Sequence, residues 1–203
     1  MQLIDELRLQ AELRGAAFCR VADLSALAQK QTRGYRRGIV VGFELNNVYD
    51  FAEAEMRADR TADEMEVWLR AQHFDALSQS ERSMARHAMF DADTRSSILP
   101  HKTVAGMAGL GWIGRNNLLV TEKYGCKLAL CTVLTNAPLP ADPAKEIPNR
   151  CGGCMACVRA CPEGALTGEK WTQTTPRDEI VDVYACRLCL KCMQACPKNN
   201  KRK

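Results

Sequence analysis

The chain has 203 residues, 46% of them hydrophobic and 26% charged, with a formal net charge of +4, the profile of a folded globule and not of a disordered segment. No apolar stretch approaches the ~20 residues of a bilayer span. The mild positive charge lies partly in Lys198, Lys201, Arg202 and Lys203, reads as a solvated tail and does not indicate a nucleic-acid partner.

The opening MQLIDELRLQAELR is polar and acidic, without the basic start and apolar run of a secretory leader, so a cytoplasmic protein is expected. Leu3, Leu7 and Ala11 share one helical face, and Gly15 stands where such a helix would stop. Ala17 to Val21 has the pattern of a short strand, and Asp23 and Ser25 are placed to cap a short helix around Leu24 to Lys30. Ile39 to Leu45, β-branched and aromatic, predicts a buried strand. Between Tyr49 and Met89 proline is absent and Met65, Trp68, Leu69, Phe74 and Leu77 form an apolar stripe, which predicts one or two long helices packed on a core. His73 and His87 have no neighbouring ligand spacing, and no metal role is expected of them. Asn117 to Thr121 and Cys126 to Leu134 read as two strands paired with each other. Pro138, Pro140, Pro143 and Pro148 then exclude a helix interior or central strand. A domain boundary is expected there, between an α/β core over 1–140 and a smaller domain over 141–203.

That smaller domain carries the strongest motif. Cys151, Cys154, Cys157 and Cys161 precede Pro162, and Cys186, Cys189, Cys192 and Cys196 precede Pro197. Each set reads CxxCxxCxxxCP, the run by which bacterial ferredoxins hold [4Fe–4S] clusters, with the fourth cysteine ligating the other cluster in two-cluster proteins. The expected ligand sets are Cys151, Cys154, Cys157 and Cys196 for one cluster, and Cys186, Cys189, Cys192 and Cys161 for the second. A disulfide framework belongs to oxidising compartments. Structural zinc usually pairs two cysteines with two ligands at a longer gap. Both readings suit the spacing less well. With little apolar content of its own, the segment is expected to use its clusters as its core. Cys19, Cys126 and Cys131 fall outside the pattern and are expected to act as small buried apolar residues.

Gly109 to Gly114 spells GxGxxG, but a helix-like segment precedes it and a strand-like run follows, the reverse of a dinucleotide-binding context. A tight helix-to-strand turn, or close backbone approach to another ligand, is the expected use of these glycines. The stretch KTVAGMAGLGWIGRNNLL, followed by a strand and then CGGCMACVRACPEGAL, resembles epoxyqueuosine reductases and, more distantly, corrinoid-containing reductive dehalogenases. The resemblance implies an α/β (α+β) fold: a nitroreductase-like mixed sheet flanked by helices, with a C-terminal bacterial ferredoxin-like module. It also implies a cobalamin held between the two, with Trp112, Arg115 and Asn116 near that cofactor. In that family an aspartate in a Val-Asp-Ser/Thr motif donates the proton. Here Thr94, Arg95 and Ser96 occupy the matching positions, with Asp93 beside them. His101 stands where the family carries a glutamate and is chemically able to donate a proton or bind cobalt. Asp93 and His101 are therefore the catalytic candidates. The C-terminal region that helps the full-length enzymes bind tRNA has no counterpart after Cys196, so chemistry on tRNA is not the expected activity.

Three functions stay open on the sequence. The first is an iron–sulfur redox protein passing electrons from a ferredoxin- or flavodoxin-type donor toward a cofactor or substrate in the cleft. The second is a cobalamin-dependent reductase, and the third a structural or maturation partner whose clusters only hold the fold.

Overall fold

The first helix, α1 (Leu3–Leu13), buries Ile4, Leu7 and Ala11, the expected stripe shifted by one residue at its start. Its free Gln2 amide donates to the Asp5 carboxylate at 3.3 Å, which offsets one of the donors a helix start leaves unpaired. The computed structural model describes residues 2–47, 50–144, 147–172 and 174–199, so Tyr49 and the Lys201, Arg202 and Lys203 tail lie outside the described residues.

After α1 come β1 (Phe18–Asp23), α2 (Gln29–Thr32) and β2 (Arg37–Glu44). The helix expected around Leu24 to Lys30 is thus a short turn of helix set later. The Asp23 carboxylate takes the Ser25 amide at 2.9 Å, closing a side-chain turn that competes with helix at that point. Next are α3 (Phe51–Ala71), β3 (Ala76–Ser78), α4 (Glu81–Arg86), and the small hairpin of β4 (Phe90–Asp91) and β5 (Ser96–Ser97). Leu77, expected on a helical stripe, instead lies in β3, where pairing with the strand at Leu128–Thr135 overrides local helix propensity. The core closes with α5 (His101–Met107), β6 (Gly111–Ile113), β7 (Leu119–Thr121) and β8 (Leu128–Thr135).

Four strands form the main sheet in the order β1-β2-β8-β3. The expected α+β class forms. Every pairing in this sheet is antiparallel, so the mixture of strand directions expected of it is not among the described pairings. The strand predicted at Asn117 to Thr121 does not pair with β8 as expected. β7 pairs with β6, Gly111 opposite Thr121, and β8 lies between β2 and β3. The glycine pattern explains this: a Cβ on Gly111 would stand 2.1 Å from the Val120 carbonyl oxygen, so only glycine permits that ladder. GxGxxG here is a helix-to-strand turn and a hairpin.

Both faces of β2 are covered, which is why it reads as a continuous apolar run. Ile39, Val41 and Phe43 pack with residues of α1 and α3, including Leu7, Met65 and Leu69. Val40 faces the other way, onto Leu99, Val104 and Leu134. Each such fully buried aliphatic or aromatic side chain contributes about 1.5–3 kcal/mol relative to exposure. The proline-rich stretch after β8 has no helix or strand among its described residues. It is tied to the sheet by Asp142, whose carboxylate accepts from the Val21 amide at 2.8 Å and from Arg8 at 2.9 Å. Beyond it, the only α-helices among the described residues are the single turns α6 (Ala156–Arg159) and α7 (Lys191–Gln194). No helix among the described residues is long and apolar enough to cross a membrane.

Candidate functional site

The eight patterned cysteines divide between two cavities. Cys151, Cys154, Cys157 and Cys196 line one, together with Arg115 and Asn116. Cys161, Cys186, Cys189 and Cys192 line the other, which has a volume of about 640 Å³. Each cavity therefore takes three cysteines from one run and the last cysteine of the other run. The single turns α6 and α7 make this exchange: each begins within its run and carries the chain away from its own loop toward the opposite cavity.

The thiols ring these spaces and do not meet at a point. Among the described residues no three histidine, cysteine or acidic side chains stand close enough to share one metal ion. Four thiols spread around a cavity suit a cubane, whose iron and sulfide fill the space between ligands, better than a tetrahedral zinc. A further observation fits such a group. Arg115 Nε is buried with no acceptor and belongs to the first cavity, while its Nη2 donates to the Gly152 carbonyl at 2.9 Å. A buried N–H left without a partner is costly, and a cluster sulfide would satisfy it.

Burial and hydrogen bonding set the thiols apart. Burial pushes Cys157 up from the ordinary thiol range and Cys192 up to about 11. Cys196 is held below the ordinary thiol range, chiefly by the neighbouring Cys126 thiol and then by the Lys198 and Asn199 amides. Cys126 is 1% exposed, and sequence reasoning gave it no chemical role. Its signal was the glycine before it. Gly125 has φ +61°, and a Cβ there would stand 2.5 Å from Asn199 Oδ1, so the turn before β8 presses against the end of the second cysteine run. Cys19, pushed up to about 12 by burial, and Cys131, raised by the same cause, are the buried thiols expected.

Asn116 borders both cavities. Trp112 borders neither. It is 5% exposed within the main core, with its indole N–H unpaired. The larger cavity is walled on the core side by Phe90, Ala92 and Arg95 of the β4–β5 hairpin and by Asn116, Asn117 and Leu118. The hairpin is pinned across the cysteine module. Arg177 Nη1 donates to the Thr94 and Arg95 carbonyls, both at 2.9 Å, the Tyr184 hydroxyl donates to the Asp93 carbonyl, and Arg95 stacks 4.8 Å from the Tyr184 ring.

Asp93 itself is exposed at the tip of this hairpin. His101 lies outside both cavities, at the start of α5, with Nδ1 3.0 Å from the Thr132 hydroxyl. Burial holds its imidazole down to about 4, so it is neutral near pH 7. Its neighbour Lys102 was not singled out in the sequence. Nζ donates to the Asn117 carbonyl at 2.7 Å and to Asn117 Oδ1 at 2.5 Å, and burial, with a smaller contribution from Arg177, brings it down to about 7. Nothing in a lone lysine of a short helix announces such burial.

Residues 150–200 match the 4Fe-4S dicluster domain family. Over 67 residues, 32% of this chain, the sequence is 48% identical to the epoxyqueuosine reductase of Listeria monocytogenes, of which that segment covers 17%. Over 139 residues, 68% of this chain, it is 31% identical to the Bacillus subtilis epoxyqueuosine reductase, of which it covers 31%. The chain thus spans a third or less of these two relatives. Among solved structures, epoxyqueuosine reductase from Streptococcus thermophilus superposes on all of this chain and 68% of its own, with a TM-score of 0.61 at 17% identity. An epoxyqueuosine reductase bound to a tRNA-Tyr stem loop gives 0.62 at 17% identity, over 98% of this chain and 65% of its own. A reductive dehalogenase described for B12-dependent dehalogenation gives 0.68 at 18% identity, over 97% of this chain and 32% of its own. In sequence and in fold the chain is therefore epoxyqueuosine reductase-like, with a 4Fe-4S dicluster domain at residues 150–200.

Proposed function

We propose that this chain is an iron–sulfur redox protein. In this reading Cys151, Cys154, Cys157 and Cys196 hold one [4Fe–4S] cluster, and Cys161, Cys186, Cys189 and Cys192 hold the second. Electrons from a donor protein would pass through them to an acceptor in the larger cavity. The observation that carries the reading is the crossed division of the eight cysteines between two cavities. Each cluster supplies one-electron chemistry, and hydrogen bonds to its sulfurs set its potential. Asn116, on the wall of both cavities, stands between the two ligand sets.

The acceptor favoured by the size and make-up of the larger cavity is an organic cofactor or substrate. The cavity measures about 640 Å³ with the space of the second cluster included, and its mostly apolar walls with a few polar groups such as Asn117, Arg95 and Arg177 are the features of a small-molecule site beside that cluster. The likeness to a B12-dependent dehalogenase and to epoxyqueuosine reductases makes cobalamin the second, more specific reading. In that case Arg95 and Asn117 would orient the corrinoid's polar edge, while Lys102 holds Asn117 in place from behind. Of the two proton-donor candidates, Asp93 belongs to the hairpin that walls the cavity, whereas His101 is neutral and bound to Thr132 outside it. Asp93 is the acid to test.

Titrating the anaerobically reconstituted protein with cobalamin tests this. A stoichiometric complex with shifted corrinoid absorbance supports the cobalamin-dependent reductase. No binding removes it and leaves the two-cluster redox protein with another acceptor.

A further inference from the structure

We propose that Arg115 tunes the first cluster, donating its Nε–H to a sulfur of the group held by Cys151, Cys154, Cys157 and Cys196 and raising that cluster's reduction potential. The inference rests on the cluster reading above.

The chain around Arg115 is built to hold it at this cavity. Arg115 follows β6, and the loop that opens the first cysteine run is tied to the same stretch twice. Asn149 Nδ2 donates to the Ile113 carbonyl at 2.9 Å, while its Oδ1 accepts the Cys151 amide at 3.0 Å. Arg115 Nη2 then donates to the Gly152 carbonyl at 2.9 Å. Gly152 has φ +56°, so the turn that offers this carbonyl is one that glycine makes without strain.

One nitrogen of this anchored guanidinium has nothing to bind. Nε and Nη2 share an edge of the planar fork, so holding Nη2 on the first loop turns Nε toward that loop as well. Nε is buried without an acceptor, and Arg115 stands on one cavity wall with all four cysteines of the first set. A buried donor left unpaired is costly, and a negatively charged sulfur makes the stronger kind of hydrogen bond with a cationic donor.

The guanidiniums beside the second ligand set are placed differently. Arg177 Nη1 goes to the Thr94 and Arg95 carbonyls, Arg95 Nη1 goes to the Val183 carbonyl, and Arg187 pairs with Glu163 at 3.3 Å. Of the arginines on the two cavity walls, Arg115 is the one with a buried N–H left unpaired among the described residues. A hydrogen bond to a cluster sulfur favours the more negative, reduced state. The first cluster is therefore the one that this residue makes easier to reduce.

The test is an EPR-monitored redox titration of the full chain, purified without oxygen, as wild type, Arg115→Met and Arg115→Lys. Methionine removes both charge and donor, whereas lysine keeps the charge and puts a methylene where Nε stands. Both substitutions should move one midpoint potential to more negative values and leave the other in place, with about eight irons retained per chain. The signal that moves should be the one that survives in Cys161→Ala, which lacks a ligand of the second cluster. If Arg115→Met loses iron, Arg115→Lys decides. Isotopic labelling of arginine nitrogen gives a second readout, in which the reduced wild type should show a nitrogen hyperfine coupling to the first cluster that Arg115→Lys lacks. Unmoved potentials, a lysine variant at the wild-type value, movement of the signal lost in Cys161→Ala, or no such coupling overturn the proposal. Loss of the first cluster in both variants also overturns it, because Arg115 would then only hold the loop. A wild type without iron would instead refute the cluster reading itself.

Discussion

The two parts of this molecule are held together by different physics. Before Pro138 the sheet is packed on both faces by long apolar clusters, with Leu7, Phe43, Met65 and Leu69 on one side and Val40, Leu99 and Val104 on the other. Between residues 151 and 199 the segment's own buried cluster is only Cys157, Leu166 and Val181, backed by partly buried cysteines and valines, while Met193 joins the main core. A segment of that size cannot bury enough apolar surface to offset its chain entropy. In the first region side chains supply the stability. In the second, the groups that would do so are the ones that carry the chemistry.

Stripping the iron should expose this contrast most strongly. Treatment with a chelator and reductant is expected to raise the rate of proteolysis between residues 151 and 199 by roughly tenfold or more, while the segment from α1 to β8 stays resistant. Equal loss of both regions would mean that the core depends on the clusters too. The converse experiment acts on the core alone. Phe43→Ala removes a ring that is 1% exposed and carries the Arg57 guanidinium 4.9 Å from its centre. It should cost about 3–5 kcal/mol in denaturant unfolding and leave the iron content unchanged.

A smaller effect is confined to the core by pH. His101 has a native pKa of about 4 against an ordinary 6.5. Between those values the unfolded chain binds a proton that the native imidazole refuses, so stability is full above pH 6.5 and falls as pH drops toward 4. The loss amounts to about 3 kcal/mol at full protonation. His101→Asn should flatten that slope in melts between pH 7 and 5. An unchanged slope would show that His101 is not the group responsible.

How much of this was legible in the sequence divides along the same line. The segments α1 and β2 could be read because their periodicity reports burial directly. The short strands β3 and β6 could not. Ala76–Ser78 is a strand because β8 lies beside it, and Gly111–Ile113 because Gly111 lets Val120 approach. In the cysteine module a fixed spacing carried the grouping of the eight cysteines, three from one run with the last of the other, that the two cavities display. What spacing cannot report is contact at long range. Cys126 meets Asn199 across 73 residues, Arg177 reaches the hairpin at Thr94 across 83, and the burial of Lys102 depends on where Asn117 and Arg177 come to lie.

The exchange of one cysteine between the two runs is tested most directly by counting iron in paired alanine variants prepared without oxygen. Cys161→Ala should retain about four irons, half of the about eight expected in the wild type. Adding Cys186→Ala to it should remove no more, whereas adding Cys151→Ala should remove nearly all. The opposite pattern, with Cys161 and Cys151 losing a single cluster together and Cys161 and Cys186 losing both, would contradict the crossed arrangement.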